Sequence, residues 1–403
     1  MIQPDDLYWD PFDWGLHADS HPVWRRMREE APLYRNERLD FWALTRFQDV
    51  LDVLVDWEAY SSAEGDILEV IKAGDKNEFT KSMISEDPPV HTVHRQLLSR
   101  AFTPRAVKRI EDRVRVFAQK LLDERVGSEG FDFVEDYGAR IPGMVIAAML
   151  GTPDSDLEYI RHLTDAQLHL GPDQQFDRSS FDEAANKLGE YFVEQALARR
   201  KDPTDDIMSA LVTLEFTDDQ GVTRKLDDLE AVQYIHLLSG AGNETVARFT
   251  GWAGATLAQF PDQRAKLVSR PDLIPNAIEE ILRYEPPSMA LARLVTKDVT
   301  WYGDVVPEGS VMVVLTAATG RDQRQFSDPD PETLDVERYI DRHLSFGFGT
   351  HVCMGAALAR LEGRIVVEEM LSRFPEWEVE WDGADIVHTG SSVRGYYKLP
   401  ITF

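Results

Sequence analysis

Cysteine, long apolar runs and positive charge are all scarce in this chain of 403 residues. Its single cysteine, Cys353, permits no internal disulfide, and this is typical of a protein that works in a reducing cytoplasm. No apolar run approaches the ~20 residues that a membrane-spanning helix needs. The 43 Lys and Arg residues face 71 Asp and Glu residues, which gives a formal net charge of -28. This charge argues against nucleic acid and anionic membranes as partners.

The sequence also lacks the features that separate domains. It has no Gly/Ser linker, no low-complexity tract and no internal repeat, so we predict one domain over residues 1–403, and we expect a monomer. Helical periodicity dominates, and short β-prone runs occur at Phe41 to Thr45, from Leu291 to Val314 and in the last thirty residues. We therefore predict a mostly α fold with a minor β region (α+β) and small sheets at its edge.

The stretch from Phe346 to Gly355 reads Phe-Gly-Phe-Gly-Thr-His-Val-Cys-Met-Gly and contains the only cysteine. Its first two glycines permit backbone angles and close approaches that a Cβ would forbid. A helix-forming run from Ala356 to Met370 follows at once. We therefore expect Cys353 at the start of a helix, where free amides would lower the pKa of the thiol and favour a thiolate.

Three interpretations of this stretch compete. Cys353 could be a buried structural residue. The glycines could cradle a phosphate, although neither Gly-x-Gly-x-x-Gly nor a Gly-Lys-Ser/Thr ending is present. Alternatively, the thiolate could bind iron. The ten residues resemble the haem-binding signature of the cytochrome P-450 monooxygenases, Phe-Gly-x-Gly-x-His/Arg-x-Cys-x-Gly, at every fixed position. This resemblance favours iron.

A long helix is predicted from Asp227 to Phe260. Asp227 and Glu230 have the spacing of a capping box, and Pro261 marks the end. A helix of this length would span ~50 Å at 1.5 Å per residue. Each interior glycine of Gly240-Ala241-Gly242 costs ~1 kcal/mol relative to alanine. We interpret this pair as room for a flat, bulky group close to the backbone.

Within this helix, residues Ala241 to Thr245 resemble the oxygen-activation motif of the same family, Ala/Gly-Gly-x-Asp/Glu-Thr. The resemblance implies that O2 binds on the haem face opposite Cys353 and that Glu244 and Thr245 guide protons to it. A threonine hydroxyl suits such a relay because it both donates and accepts hydrogen bonds.

His91 and Arg95 are four residues apart and share one helix face, where they could bind an anion or simply face solvent. His91 and His94 could also be a metal pair, but no third ligand has a fitting spacing. In the resembled family this His-x-x-x-Arg contacts the haem propionates, and Arg293 and His351 match further propionate contacts. The resemblance thus implies haem b on Cys353, with contacts from His91, Arg95, Ala241, Arg293, Phe346, Gly347, His351, Cys353 and Gly355.

Glu280 and Arg283 form a Glu-x-x-Arg pair, which alone is typical of an exposed ion pair worth ~0.5 kcal/mol or less. Its place between the threonine motif and the cysteine stretch gives it more meaning. The resembled family joins such a pair to an arginine just before the cysteine stretch, which Arg338 matches. The resemblance implies a network that stabilises the fold near the haem.

The resemblance as a whole implies a monooxygenase. Because no iron–sulfur cysteine cluster or dinucleotide fingerprint is present, electrons would have to come from another protein. The resemblance implies that they pass from NAD(P)H through a separate ferredoxin and its reductase. A haem-binding sensor or carrier, or a peroxide-driven peroxygenase, would not need Glu244 and Thr245.

Steroid, terpenoid, macrolide and fatty-acid substrates stay open. An apolar substrate is indicated by the candidate pocket residues, which could also be ordinary core: Leu237, Leu238, Met289, Ala290, Leu291 and Val393.

Positive charge is concentrated between His91 and Arg115. This segment carries seven basic residues and two acids, a local net charge of +5 in an acidic protein. It could be a solvated helix face or a surface that steers an acidic ferredoxin towards the cysteine stretch. The predicted docking residues are Arg100, Arg105, Lys108, Arg109 and Arg113.

Overall fold

The computed structural model describes residues 6–17, 19–74, 82–99, 101–168 and 178–403. Its α-helices are α1 Trp14–His17, α2 His21–Glu30, α3 Phe47–Val55, α4 Leu68–Ala73, α5 Val90–Ser99, α6 Pro104–Asp123, α7 Arg140–Leu150, α8 Leu157–Leu168, α9 Arg178–Lys201, α10 Ile207–Thr213, α11 Asp228–Ala241, α12 Glu244–Gln259, α13 Pro261–Ser269, α14 Ile274–Tyr284, α15 Thr316–Thr319 and α16 Ala356–Arg373. Its strands are β1 Leu33–Asn36, β2 Phe41–Leu44, β3 Tyr60–Ser61, β4 Gly130–Asp132, β5 Glu215–Thr217, β6 Thr223–Lys225, β7 Leu291–Val295, β8 Val299–Trp301, β9 Asp304–Val306, β10 Val311–Val314, β11 Glu378–Val379, β12 Asp385–Thr389, β13 Val393–Lys398 and β14 Pro400–Thr402. The predicted fold, mostly helical with small sheets, is confirmed.

The largest sheet has the strand order β1-β2-β10-β7-β3, in which only β10 and β2 run parallel. Its central strand β10 is buried along its whole length. Val311 and Val313 belong to one apolar cluster, whereas Met312 and Val314 belong to another. Successive side chains point to opposite faces of a strand, so an unbroken apolar run of this kind places core on both faces of the sheet.

A larger apolar cluster joins the helices, and α12 lies inside it. Nearly all residues of α12 are buried. Two glycines on this helix allow close packing, because a Cβ on Gly251 would lie 3.0 Å from the Val134 side chain and one on Gly254 would lie 2.9 Å from the Phe133 ring. Helix α12 therefore passes through the interior, and α16 packs against it.

The sequence predicts one continuous helix from Asp227 to Phe260, and this prediction is wrong. Helix α11 ends at Ala241, and α12 begins at Glu244 after a turn at Gly242 and Asn243. The predicted capping box is confirmed, because the Asp227 side chain accepts from the Glu230 amide and the Glu230 side chain accepts from the Asp227 amide. Two weak helix formers in succession explain why the helix is interrupted at this point.

A second difference lies between Ser61 and Ile84, where Gly, Ser and charged residues without clean periodicity predict an irregular loop. Part of this stretch forms the short helix α4, which ends at Gly74 with a positive φ of 65°. Residues 75–81 lie outside the described residues. The six residues of α4 are too few to show a helical period, and this is why the pattern missed them.

None of the helices that the structure describes is both long and apolar enough to cross a lipid bilayer. The single domain and the monomeric state stay predictions.

Glu280, Arg283 and Arg338 form a fully buried network. Arg283 donates to both carboxyl oxygens of Glu280, at 2.7 and 2.8 Å, and Arg338 donates to the same carboxylate at 3.1 Å. The two guanidinium groups also donate to main-chain carbonyls, among them those of Gly320 and Pro331. The network therefore ties α14 to the segment that precedes the Cys353 loop.

Removing one partner of this network would leave a buried charge without compensation, which costs about 3–5 kcal/mol. We expect Arg283→Ala to lower the free energy of unfolding by this amount, measured by urea denaturation with far-ultraviolet circular dichroism. The control is Arg270→Ala, because Arg270 pairs with Glu337 on the surface. We expect the control to change stability little. Equal effects in the two variants would contradict the structural role of the network.

Candidate active site

A cavity of about 340 Å³ lies between α12, the start of α16 and the loop that carries Cys353. Most of its wall is apolar. The structure brings together thirteen of the predicted site residues on this wall, namely His91, Arg95, Leu237, Leu238, Ala241, Thr245, Leu291, Phe346, Gly347, His351, Cys353, Gly355 and Val393.

The Cys353 loop is held by its own main chain and by α3. The Cys353 amide donates to the Phe346 carbonyl at 2.8 Å. Gly347 and Gly349 both have positive φ, at 65° and 71°. A Cβ on Gly349 would lie 2.4 Å from the carbonyl oxygen of Leu54, so only glycine fits there. The two glycines are therefore required by the loop geometry, as the sequence predicts.

The Cys353 thiol is exposed to the cavity and not packed among side chains. Loss of hydration inside the protein raises the pKa of the thiol, and the Gly355 amide and the Arg95 guanidinium offset this only in part. The amides at the helix start lower the pKa as expected, but for the thiol by itself burial outweighs them. A metal cation bound to the sulfur would reverse the balance, because it favours the deprotonated form.

A cluster of nitrogen donors lies at one side of the cavity. The rings of His91 and His351 are 4.1 Å apart between centroids. Both Nε2 atoms are buried and have no hydrogen-bond partner among the described residues. Burial, then His91, Arg293 and Arg95, lower the pKa of His351 to about 3. Arg293 is itself buried and does not line the cavity.

Buried ring nitrogens without partners can donate to an anion, and Arg95 on the cavity wall supplies positive charge to hold it. The two carboxylates of a haem would satisfy these groups, while the apolar wall suits a porphyrin and the thiol suits iron. The residues present therefore fit the haem that the sequence implies.

The alternative of a metal pair at His91 and His94 is wrong. The His94 ring contacts the Glu86 carboxylate at 2.9 Å and packs edge-on against Tyr234, 5.9 Å between centroids. Across the described ranges, no group of three His, Cys, Asp or Glu residues could hold a metal ion.

The break between α11 and α12 faces the cavity. The Thr245 hydroxyl donates to the Ala241 carbonyl at 2.9 Å, and both residues line the wall. From the sequence, we interpret Gly240 and Gly242 as room for a flat group close to the backbone, and the surroundings of the two glycines do not support this. A Cβ on Gly242 would point at Ile146 of α7, 2.8 Å away, and one on Gly240 would meet nothing within 4 Å. The residue that presents its side chain to the cavity is Ala241.

Glu244 is buried but does not line the cavity. Its carboxylate accepts from Arg248 Nε at 2.7 Å, one turn along α12. Arg248 in turn donates to the Tyr396 carbonyl at 2.8 Å. The two members of the acid–threonine motif therefore have different surroundings, since Thr245 is at the cavity and Glu244 is in a closed ion pair.

The prediction that Met289 and Ala290 line the pocket is wrong. Both are buried in the apolar cluster that contains Trp24. The Met289 amide donates to the Ser392 carbonyl and its own carbonyl accepts from Ala317, so the main chain is fixed on both sides. The sequence gives no signal for these hydrogen bonds, because their partners are far away along the chain.

Several cavity residues were missed. Ile67 and Ile84 flank α4 and the residues that the structure does not describe, and Pro287 and Ser288 follow α14. Glu362 on α16 also lines the cavity. A signal for Glu362 existed, because it lies four residues from Leu358 and from Val366 on the apolar side of its helix.

Comparisons with known proteins agree with this geometry. A family model described as cytochrome P-450 matches residues 37–393. A relative from Mycobacterium tuberculosis, named cytochrome P-450 123, is 37% identical over 397 residues, which cover 98% of this chain and 97% of the relative.

Solved structures agree as well. CYP109E1 of Bacillus megaterium, solved in complex with testosterone, is similar with a TM-score of 0.85 and 30% identity, covering 95% of this chain and 97% of that one. CYP109Q5 of Chondromyces apiculatus has a TM-score of 0.87 and 28% identity, covering 98% and 97%.

The donor cluster generates a test of the anion site. A hydrogen bond to a charged group is worth about 1.5–3 kcal/mol, so we expect Arg95→Gln to speed haem loss by roughly 10- to 150-fold. Transfer of haem to apomyoglobin measures this rate. Arg109→Gln is the matched control, because Arg109 is exposed on α6 and lies outside the cavity wall. An Arg95 variant that retains haem as well as the control would show that Arg95 binds no carboxylate.

Proposed function

The chain belongs to the cytochrome P-450 family, whose members are monooxygenases, and from this premise we propose that it oxidises an apolar small molecule with O2 and two electrons from a ferredoxin. One observation carries the proposal: the only thiol of the chain and the Thr245 hydroxyl open onto the same apolar cavity. A cytoplasmic location stays a prediction.

We propose that Cys353 is the iron ligand of haem b. His91, Arg95, Arg293 and His351 would hold the propionates, and Phe346, Gly347, Gly355 and Ala241 would contact the ring. When bound, the haem supplies the activation of O2 and the transfer of one oxygen atom to the substrate. The arrangement of donors without acceptors around one side of the cavity supports this placement.

Thr245 would accept a hydrogen bond from a group on the other side of the cavity. Its one proton is used in the bond to the Ala241 carbonyl, so its oxygen is left to accept a hydrogen bond from the cavity. Glu244 was predicted as its acid partner. In that role Glu244 would have to exchange Arg248 for a partner in the cavity.

The substrate would be apolar. Leu237, Leu238, Leu291 and Val393 contribute to the wall, and Ile67, Ile84 and Ile146 extend it. The similar structure of CYP109E1 holds testosterone, which supports a compound of this character without defining it. A wall of this composition excludes water and orients a ligand mainly by shape.

The ferredoxin would dock on α6 beside the start of α16. Arg105, Arg109 and Arg113 are exposed on α6, and no salt bridge to them is found among the described residues. Lys108 pairs with Glu111 at 2.6 Å, and Arg100 lies outside the described residues. A surface groove of about 310 Å³ is lined by Lys108 of α6 and by Ala357, four residues after Cys353. Its rim carries Arg360 and Arg364.

The central test concerns the thiolate. We expect Cys353→Ser to lose the strongly red-shifted Soret band that thiolate ligation gives the ferrous carbon monoxide complex. The band is recorded after reduction with dithionite, so no protein partner is needed. The parent protein is the positive control. A variant that keeps the parent spectrum would overturn the proposed function.

The docking surface is tested by charge reversal. Electrostatic steering raises association rates by ~10- to 1000-fold and weakens with salt. We therefore expect Arg109→Glu and Arg113→Glu to slow reduction by a ferredoxin at least ~10-fold at low salt and to flatten its dependence on ionic strength in stopped-flow measurements.

The control for this test is Lys297→Glu, because Lys297 is exposed between β7 and β8. The control is expected to keep the parent rate. Substrate affinity should be the same in all variants. Parent rates and salt slopes in both arginine variants would place the docking site elsewhere.

A further inference from the structure

An acid at the cavity, Asp66, has no role in the function proposed above. It lines the wall next to Ile67 and lies two residues before α4 begins. Its carboxylate accepts from its own main-chain amide, and no lysine or arginine of the described ranges forms a salt bridge with it. Asp66 therefore presents a carboxyl without a paired cation to a mostly apolar space.

The main chain around Asp66 is fixed, so this segment holds one position at the cavity. The Asp66 carbonyl accepts from the Ala292 amide of β7 at 2.7 Å. Gly65 has a φ of 124°, and a Cβ there would lie 2.6 Å from the Val70 side chain. Only glycine fits at this point, and the chain is thereby folded tightly against α4.

Helix α4 is attached in turn to the segment between β12 and β13. The Glu69 carboxyl accepts from the Ser391 amide at 2.9 Å and from the Ser391 hydroxyl at 2.5 Å. A Cβ on Gly390 would lie 1.7 Å from a Glu69 oxygen, so no larger residue fits against this acid. Ser392 follows and lines the same cavity as Asp66. The polar residues of this part of the wall are therefore held in a fixed frame.

One group supplies positive charge near Asp66, the buried Arg293 guanidinium. Burial raises the pKa of the Asp66 carboxyl, and Arg293 offsets this only in part. The same guanidinium also acts on Asp87, and in the proposed function it holds a haem propionate. It would then face three carboxylates at once. One positive charge cannot balance all three, so Asp66 lacks a cation of its own.

A ligand that carries a cation would supply what Asp66 lacks. A buried charge is stable only when it is paired, and a nearby opposite charge favours the ionised form of a carboxyl. The net charge of -28 acts in the same direction, because a negative field raises the local concentration of cations. Glu362, the other carboxyl of the described wall, has no charged neighbour that would favour its ionised form. Asp66 is therefore the better anchor for a cation.

We propose that Asp66 binds an ammonium group of the substrate, so that the enzyme oxidises apolar amines. This inference rests on the proposed function and names a substrate class for it. The leucine, isoleucine and valine side chains of the wall would contact the apolar body, and Asp66 would pair with the charge. Because an ion pair fixes one end of the molecule, the carbon that is oxidised would be set by its distance from the nitrogen.

The first experiment compares three ligands that share a decyl chain and differ in the charge of the head group, namely decyltrimethylammonium, decanol and decanoate. Equilibrium dialysis against the haem-loaded parent protein measures their binding directly. The quaternary nitrogen has no lone pair, so it cannot bind iron. We expect the cation to bind at least ~10-fold more tightly than the alcohol and the anion, because it alone pairs with a buried carboxylate.

The second experiment changes the acid. Asp66→Asn keeps the shape and removes the charge, so it should weaken binding of the cation by roughly 30-fold or more and leave binding of decanol unchanged. Asp66→Glu keeps the charge and should keep a preference for the cation. The matched control is Glu64→Gln, because Glu64 is exposed two residues earlier and lies outside the wall. The control should bind all three ligands as the parent does.

Two outcomes would overturn the inference. One is a parent protein that binds decanol or decanoate as tightly as the cation, and this result needs no variant to fold. The other is an Asp66→Asn variant that keeps the preference of the parent for the cation. Failure of the proposed function is a separate result, since it would appear in the carbon monoxide spectrum of Cys353→Ser, whereas the Asp66 variants should keep the red-shifted Soret band of the parent.

Discussion

The hydrogen bond from the Thr245 hydroxyl to the Ala241 carbonyl is the contact on which the site depends. A helix leaves its last carbonyls without partners, and the threonine side chain satisfies one of them. The chain can therefore interrupt its longest helical stretch at Gly242 and Asn243 inside the protein without leaving that acceptor unpaired. The interruption sets Ala241 and Thr245 on the cavity wall, while Glu244 one residue earlier meets Arg248.

Buried polar side chains at the cavity differ from those elsewhere in the molecule in how they are paired. Away from the cavity, buried arginines donate either to carboxylates, as Arg283 does to Glu280 and Arg394 to Glu285, or to main-chain carbonyls, as Arg264 does to Trp377. Other buried polar atoms, such as Trp9 Nε1, also lack partners, so a missing partner alone does not identify a site. What is particular to His91, His351 and Glu362 is that all three share one cavity with the only thiol. Leaving each such group without a hydrogen bond costs about 1–3 kcal/mol of folding free energy, and a bound ligand that supplies the bond would recover it.

Short-range patterns were enough to predict the glycine requirement of the Cys353 loop and the starts of α11 and α16. With the resemblance to the family, the sequence also named thirteen residues of the cavity wall. Helix α16 begins at Ala356, where the sequence predicts that a helix-forming run begins. The sequence could not show that Glu244 would be neutralised by Arg248, since the same spacing also permits an exposed pair. It also could not place Met289, whose environment is fixed by Ser392 more than a hundred residues away. Glu362 was missed because an acid on an apolar helix side looks like an exception until its surroundings are known.

In the proposed function, ion pairs join the docking surface on α6 to α16, the helix that follows Cys353. Helix α16 begins three residues after Cys353, and it is joined to α6 by Arg364 with Glu111 and by Arg115 with Glu368 and Glu369. The Arg115 pairs use part of the positive charge of α6 to fix the two helices together, and Glu111 of α6 pairs with Arg364 of α16. Arg105, Arg109 and Arg113 have no salt bridge of this kind among the described residues, so their charge is available to a partner. In the proposed function, Arg105, Arg109 and Arg113 would steer the ferredoxin by their net charge, whereas Arg115 keeps α6 fixed to α16.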